Sequence, residues 1–213
     1  KLGKHDEAIK CYDKAIEIDP KYSYPWHNKG ITLDISGKPD EAIKCFDKAI
    51  ELDPEYTSAW VNKGIALDRS GKPDEAIKCF DKALEIDPKD TDAWHGKGIS
   101  LDRSGKPDEA IKCYDKALEI DPKLTLVLRS KGITLDDLGK HKDAIKYFDK
   151  ALEIDPKYAS VWLVKAIALT KLGKQMEAIK CHDKAIEIDP EYRNFDLFAE
   201  EEEDKKEEKD EDD

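Results

Sequence analysis

Asp-Pro recurs through this chain at an unbroken interval of 34 residues, at Pro20, Pro54, Pro88, Pro122, Pro156 and Pro190. Trp26, Trp60, Trp94 and Trp162 fall on the same lattice, with Leu128 in the remaining slot. A strict period in this range is the mark of a solenoid, in which each unit is one supersecondary element that cannot bury its apolar face alone. Such arrays present a long surface to a partner instead of enclosing a reaction chamber. The period overrides the one or two globular domains that 213 residues would otherwise suggest.

Charged residues make up 40% of the chain and aromatic ones 8%, so the surface is heavily solvated and the core is thin. No apolar run approaches the ~18 residues of a membrane span, and no signal-peptide pattern is present. The sequence opens at Lys1 partway through a repeat and reads as a fragment. Its net charge of −12 is uneven: from Arg193 onward there are 12 acidic and 4 basic residues, while the repeat body is nearly balanced. An acidic chain without a basic stripe excludes nucleic acid as the expected partner. Cys11, Cys45, Cys79, Cys113 and Cys181 sit on the lattice. Equivalent positions of stacked units lie too far apart for disulfides. Reduced thiols are expected, and with them a cytoplasmic location.

One unit, Thr57 to Asp90, reads as two helices. Trp60, Gly64 and Leu67 share one helical face. Gly71 ends that helix with a residue that tolerates a left-handed backbone. Pro73, Asp74 and Glu75 open the second helix, because proline suits the first turn and carboxylates its positive end. Ala76, Phe80 and Ala83 form its buried stripe, and Asp87-Pro88 stops it.

Trp60, Gly64, Ala76, Phe80, Ala83 and Pro88 match the tetratricopeptide repeat consensus in order and spacing, and the chain resembles that family. The pattern recurs as Trp26, Gly30, Ala42, Phe46, Ala49, Pro54; as Trp94, Gly98, Ala110, Tyr114, Ala117, Pro122; and as Leu128, Gly132, Ala144, Phe148, Ala151, Pro156. The last copy keeps Trp162, Ala178, Ala185 and Pro190 but carries Ala166 and His182 in two signature slots. Pentatricopeptide repeats run one residue longer and are basic, and are set aside. The resemblance implies an all-α, right-handed superhelical solenoid of antiparallel helix pairs. Repeats are expected at 23–56, 57–90, 91–124, 125–158 and 159–192, after a lone second helix at 1–22 and before a cap and acidic tail at 193–213. Lys29, Lys63, Lys97, Lys131 and Lys165 stand where an apolar residue is common, and are expected to lay their stems on the stripe and reach water with their ammonium groups.

In proteins of this kind the second face of each first helix lines a concave groove. Stepping about 100° per residue from Trp60 puts Ile65 on that face, with Val61, Asn62, Asp68 and Arg69 around it. Isoleucine fills the slot in every full repeat, as Ile31, Ile65, Ile99, Ile133 and Ile167. Tyr24, His27, Asn28, His95, Arg103 and Arg129 complete the candidate peptide-binding lining. These isoleucines are either a groove floor or core against the neighbouring first helix. Asp34, Asp68, Asp102 and Asp136 run beside them, as a solvated face or as a carboxylate rail for a ligand with apolar and basic side chains. An amide such as Asn28 or Asn62 can both donate to and accept from a peptide backbone. The clamp that co-chaperone relatives close on a C-terminal carboxylate is missing, since its slots hold Ile31, His27 and Asp92.

No cofactor, metal or catalytic residue is expected: His5, His27, His95, His141 and His182 lack metal-ligand spacing, and no glycine-rich phosphate loop occurs. At the front, Ala8, Ile9, Tyr12 and Ala15 form a stripe without its own first helix, a candidate for self-association or for further repeats. At the back, Phe195, Leu197, Phe198 and Ala199 are expected to cap the last stripe. The sequence therefore points to a protein-interaction scaffold, with a self-assembly module as the runner-up and the regulatory part of a longer enzyme as a third reading.

Overall fold

The computed structural model describes residues 2–197. Among them the chain forms eleven α-helices and one 3-10 turn, with no strand: α1 (Leu2–Ile18), α2 (Ser23–Ile35), α3 (Pro39–Leu52), α4 (Thr57–Arg69), α5 (Pro73–Ile86), α6 (Thr91–Arg103), α7 (Pro107–Ile120), α8 (Thr125–Asp137), α9 (His141–Ile154), α10 (Ala159–Lys171), α11 (Gln175–Ile188) and the turn Pro190–Asn194. They fall into two compact units, Lys1–Asp121 and Pro122–Asp213. In the first unit α2 pairs with α3, α4 with α5 and α6 with α7, and successive pairs stack through α1 on α2, α3 on α4 and α5 on α6. In the second, α8 pairs with α9 and α10 with α11, with α9 against α10. The all-α fold of stacked helix pairs is the one the period implied.

Local chemistry sets these boundaries. Gly71 has φ +75°, and Lys72 N donates to the Leu67 carbonyl across the end of α4, closing a helix-terminating loop. The Asp-Pro step is also a cap: Asp87 Oδ1 accepts from Lys89 N at 2.9 Å, as Asp53 does from Glu55 N at 3.1 Å. The tryptophans close the same corner. Trp60, Trp94 and Trp162 donate through Nε1 to the carbonyls of Pro54, Pro88 and Pro156, each at 3.0 Å. At these three corners the coincidence of the proline and tryptophan lattices is one hydrogen bond repeated, invisible to a helical-face reading because it crosses a loop; the Trp26 Nε1 is buried without a partner.

In the first unit Phe80 is 1% exposed in a cluster with Val61, Leu67, Ala76, Cys79, Ala83, Leu84 and Ala93. Its ring lies where a β-carbon on Gly64 or on Gly96 would have to go, 2.8 and 2.5 Å away respectively. Glycines from two successive repeats clasp one ring. All five cysteines are free, Cys11 exposed and the others buried. Burial pushes the Cys79 thiol up to about 11.

The lysine row departs from expectation. Lys29, Lys63, Lys97 and Lys165 do not end in open water but reach back to Asp13, Asp47, Asp81 and Asp149 of the preceding second helix, each at 2.6 Å. Their ammonium groups also stand 5.4–6.0 Å from the rings of Trp26, Trp60, Trp94 and Trp162. Lys131, 4% exposed, donates to Tyr147 Oη at 2.8 Å. The residue sits between packed helices, so its charge is answered by a neighbour before it reaches solvent. At the other end, Leu197 packs against Ala166, Leu169, Ala178 and Cys181, and the Phe195 ring lies 6.2 Å from His182. Phe198, Ala199 and the acidic run lie outside the described residues.

Candidate binding groove

In the first unit the isoleucine slot lies on α2, α4 and α6, and Ile31, Ile65 and Ile99 are all half-buried. Ile31 packs against the cluster of Leu33, Ala42, Cys45, Phe46 and Ala66, and Ile65 against the Phe80 cluster. Each is therefore wall and floor at once, anchored in the core with part of its surface open. Asn28 and Asn62 stand beside them, half-buried, and each donates through Nδ2 to the carbonyl four residues back, Tyr24 at 3.1 Å and Ser58 at 2.9 Å. Tyr24 is exposed and stacks on Tyr22 with ring centroids 6.0 Å apart.

Three expected lining residues are instead interior. Val61 and His27 are each 6% exposed and Asp136 is 7% exposed. The slot after Trp26 and after Trp60 is closed off by packing that a wheel drawn for one isolated helix does not register. His95, beside the Tyr114 ring at 6.0 Å, is half-buried, and burial lowers its pKa as it does that of His27. In the second unit Ile133 and Arg129 are half-buried.

The acidic line is not an open rail. The Asp34 and Asp68 side chains are each 11% exposed and are paired with Arg69 and Arg103 of the following repeat. In the second unit Asp136 binds Lys171 at 3.1 Å and the His141 Nδ1 at 2.7 Å. Asp102 is half-buried. The pairs of Asp34 with Arg69, Asp68 with Arg103 and Asp136 with Lys171 each span one period plus one residue, a spacing legible in the sequence only if whole repeats are compared side by side.

One of these ties is incomplete. Asp68 accepts from Arg103 and also, at Oδ1, from Ser100 Oγ at 2.9 Å. Asp34 Oδ1 is buried without a partner, and Ala66 stands one period before Ser100. Ala66→Ser is expected to supply the missing donor. A hydrogen bond to a charged acceptor contributes about 1.5–3 kcal/mol, against about 0.5 kcal/mol of lost helix propensity. A net gain near 1 kcal/mol should appear in chemical denaturation, and an unchanged or lowered midpoint would refute the account.

Among the described residues no group of three or more His, Cys, Asp or Glu could hold a metal ion, and no helix is long and apolar enough to cross a membrane. His182 Nε2 meets the Tyr192 carbonyl at 3.1 Å. Ala8, Ile9, Tyr12 and Ala15 of α1 are half-buried, with Ile9 packed on the Phe46 cluster.

A family model described as tetratricopeptide repeat matches residues 1–22, 23–56, 57–90, 91–124, 126–158 and 159–192. The fold is similar to that in the crystal structure of YrrB, a TPR protein with an unusual peptide-binding site. The two are 24% identical, with a TM-score of 0.66, over 90% of this chain and 97% of that one. It is also similar to MamA (41-end) from Desulfovibrio magneticus RS-1, at 19% identity and TM-score 0.69 over 80% of this chain and 96% of that one. A third likeness, at 19% identity and TM-score 0.76, is to the APC/C hetero-tetramer Cut9–Hcn1, over 89% of this chain and 38% of the matched one. Nothing among curated proteins matches by sequence.

Proposed function

This chain belongs to the tetratricopeptide repeat family, and from that premise we propose that it holds an extended or helical segment of a partner protein along the first-helix face. The family is a protein-interaction fold and generally non-catalytic; the reading adds that this chain performs no chemistry of its own. What supports it is the row Ile31, Ile65 and Ile99, one per repeat, each with part of its surface left open, Ile31 and Ile65 being anchored in the core beneath. Apolar side chains of the ligand rest on this row. Basic side chains have to compete with Arg69 and Arg103 for Asp34 and Asp68, so the apolar contacts carry most of the affinity. YrrB, similar in fold, has a peptide-binding site by its own description. A cytoplasmic setting is part of the proposal, supported by cysteines that remain free thiols.

The test uses a peptide selected against the chain from a displayed random library. Ile65→Asp with Ile99→Asp is expected to weaken its binding at least tenfold, about 1.4 kcal/mol or more, while the helical circular dichroism is unchanged. Undiminished binding by a folded double variant would remove the groove from the proposal.

A second reading, self-assembly through α1, draws on a different observation. Ala8, Tyr12 and Ala15 are half-buried, whereas Ala42, Phe46 and Ala49, one period on, are 0–1% exposed. Solution mass across a concentration range decides it: a dimer lost in Tyr12→Glu would bring this surface to the front.

A further inference from the structure

The second unit departs from the repeat pattern along one edge. Where α3, α5 and α7 open on Pro-Asp-Glu, α9 opens on His141-Lys142-Asp143 and α11 on Gln175-Met176-Glu177. The slot of Asp40, Asp74 and Asp108 thus holds Lys142 and then Met176, which is exposed. Ser36, Ser70 and Ser104, which end the earlier first helices, are replaced by Leu138 and Leu172. A lysine in the first turn meets the positive end of its own helix, where a carboxylate is favoured. Among the described residues no ion pair answers Lys142. A local rule broken without local compensation marks a position with another duty.

These changes meet in one place. Lys142, Ile145, Leu172 and Lys174 line a hollow of about 260 Å³. Ile145 and Leu172 are half-buried, and the two lysines are exposed. Lys174 also holds Glu177 at 2.9 Å, but both side chains are more than half exposed, so water weakens that pair. An apolar hollow with a basic rim fits an aromatic side chain followed by carboxylates.

The chain carries such a segment next to the hollow. Beyond Leu197 come Phe198, Ala199 and five consecutive carboxylates, Glu200 to Asp204. The Phe195 ring lies 6.2 Å from His182, and Leu197 packs on the cluster that holds Ala178 and Cys181, on which Ile145 packs as well. The chain therefore returns along α11 toward its first turn. Lys174 stands four residues before Ala178, about 6 Å of helix rise, and each extended residue covers about 3.3 Å. The stretch after Leu197 is long enough to reach both lysines.

We propose that residues 198–204 dock on this surface of their own chain. Phe198 enters the hollow against Ile145 and Leu172, and the carboxylates from Glu200 onward answer Lys142 and Lys174. Charge complementarity selects this occupant, since 11 acidic and 3 basic residues follow Leu197. The opening of α9 favours the same anions through its free backbone N–H groups and its helix dipole. A partner segment of like chemistry has to displace the tail before it can use the surface. The proposal belongs to the second unit and does not draw on the groove reading.

NMR of the isotope-labelled full chain tests this. The Phe198 ring protons should show nuclear Overhauser contacts to the methyl groups of Ile145 and Leu172. Salt at about 1 M, where the screening length falls to about 3 Å, should weaken them at least twofold. Lys142→Glu with Lys174→Glu should abolish them while the helical circular dichroism is unchanged. A synthetic peptide of residues 198–204 should shift the Ile145 and Gly173 amides of Phe198→Ser at concentrations that leave the wild-type chain unmoved. Wild-type protein without these contacts, or contacts that survive both lysine reversals, would overturn the proposal. Contacts found only between chains in a mixture of labelled and unlabelled protein would also overturn it and give the surface to a second copy. Equal shifts by the peptide in wild type and Phe198→Ser would overturn it too, leaving the surface to a partner's segment.

Discussion

Phe80→Ala is expected to destabilise the first unit by about 3–5 kcal/mol, the range for truncating a fully buried phenylalanine. The ring is 1% exposed and serves two repeats, packed with Leu67 and Ala76 of its own and Ala93 of the next. Gly64 and Gly96 both give up a side chain to its volume, so neither of these two positions can fill the hole. In an array whose stability is a sum of unit and junction contributions, such a loss falls on a unit and a junction together. It is comparable to much of the 5–15 kcal/mol that holds an ordinary domain. Denaturant unfolding followed by circular dichroism should show the helical signal lost in two steps or at a much lower midpoint. Tyr22→Ala, 53% exposed, should stay within about 0.5 kcal/mol of wild type. A loss below 1 kcal/mol in Phe80→Ala would mean that the ring is not the keystone of that junction.

The second large effect concerns a glycine and a ring in the second unit. A β-carbon on Gly132 would fall inside contact distance of the Phe148 ring, which is 0% exposed. In the middle of α8, Gly132→Ala should gain about 1 kcal/mol of helix propensity. Overpacking of a filled core costs about 1–3 kcal/mol, so the expected net is a loss of up to about 2 kcal/mol. One period on, the chain carries both changes together: Ala166, 0% exposed, stands in the glycine slot, and His182 stands in the ring slot. The smaller imidazole leaves room for the methyl group. Gly132→Ala should accordingly become neutral or stabilising when Phe148→His is already present, a coupling of about 1–2 kcal/mol between touching residues. Additive losses across the double-mutant cycle would show that the two slots are independent.

The helix pairs were legible because their signals are local. Pro39, Pro73 and Pro107 begin their helices, and Gly37, Gly71 and Gly105, all at positive φ, follow the preceding ones. α9 and α11 start at His141 and Gln175 without proline, yet the register alone places them. The candidate site was legible only in part. Ile31, Ile65 and Ile99 do keep open surface, but Val61, His27 and Asp136 are interior. A single helix offers neighbours three and four residues away, whereas Asp68 finds Arg103 at 35 residues and Lys63 finds Asp47 at 16. Partners at such distances appear only when one repeat is laid against the next. The departure at Ala166 and His182 was visible in the sequence, but its logic as a matched pair needed the ring and the methyl group in one space.

The ties between repeats are interchangeable. Asp34 with Arg69 and Asp68 with Arg103 are the same handshake, and Asp68 and Arg69 both lie within the stretch 57–90. A second copy of that stretch spliced in after Asp90 would bring its own arginine to the original Asp68 and offer its own aspartate to Arg103. Length in this unit is thus a quantity that duplication can change in whole steps, extending the surface shown to a partner while reusing the same ion pair at the new junction.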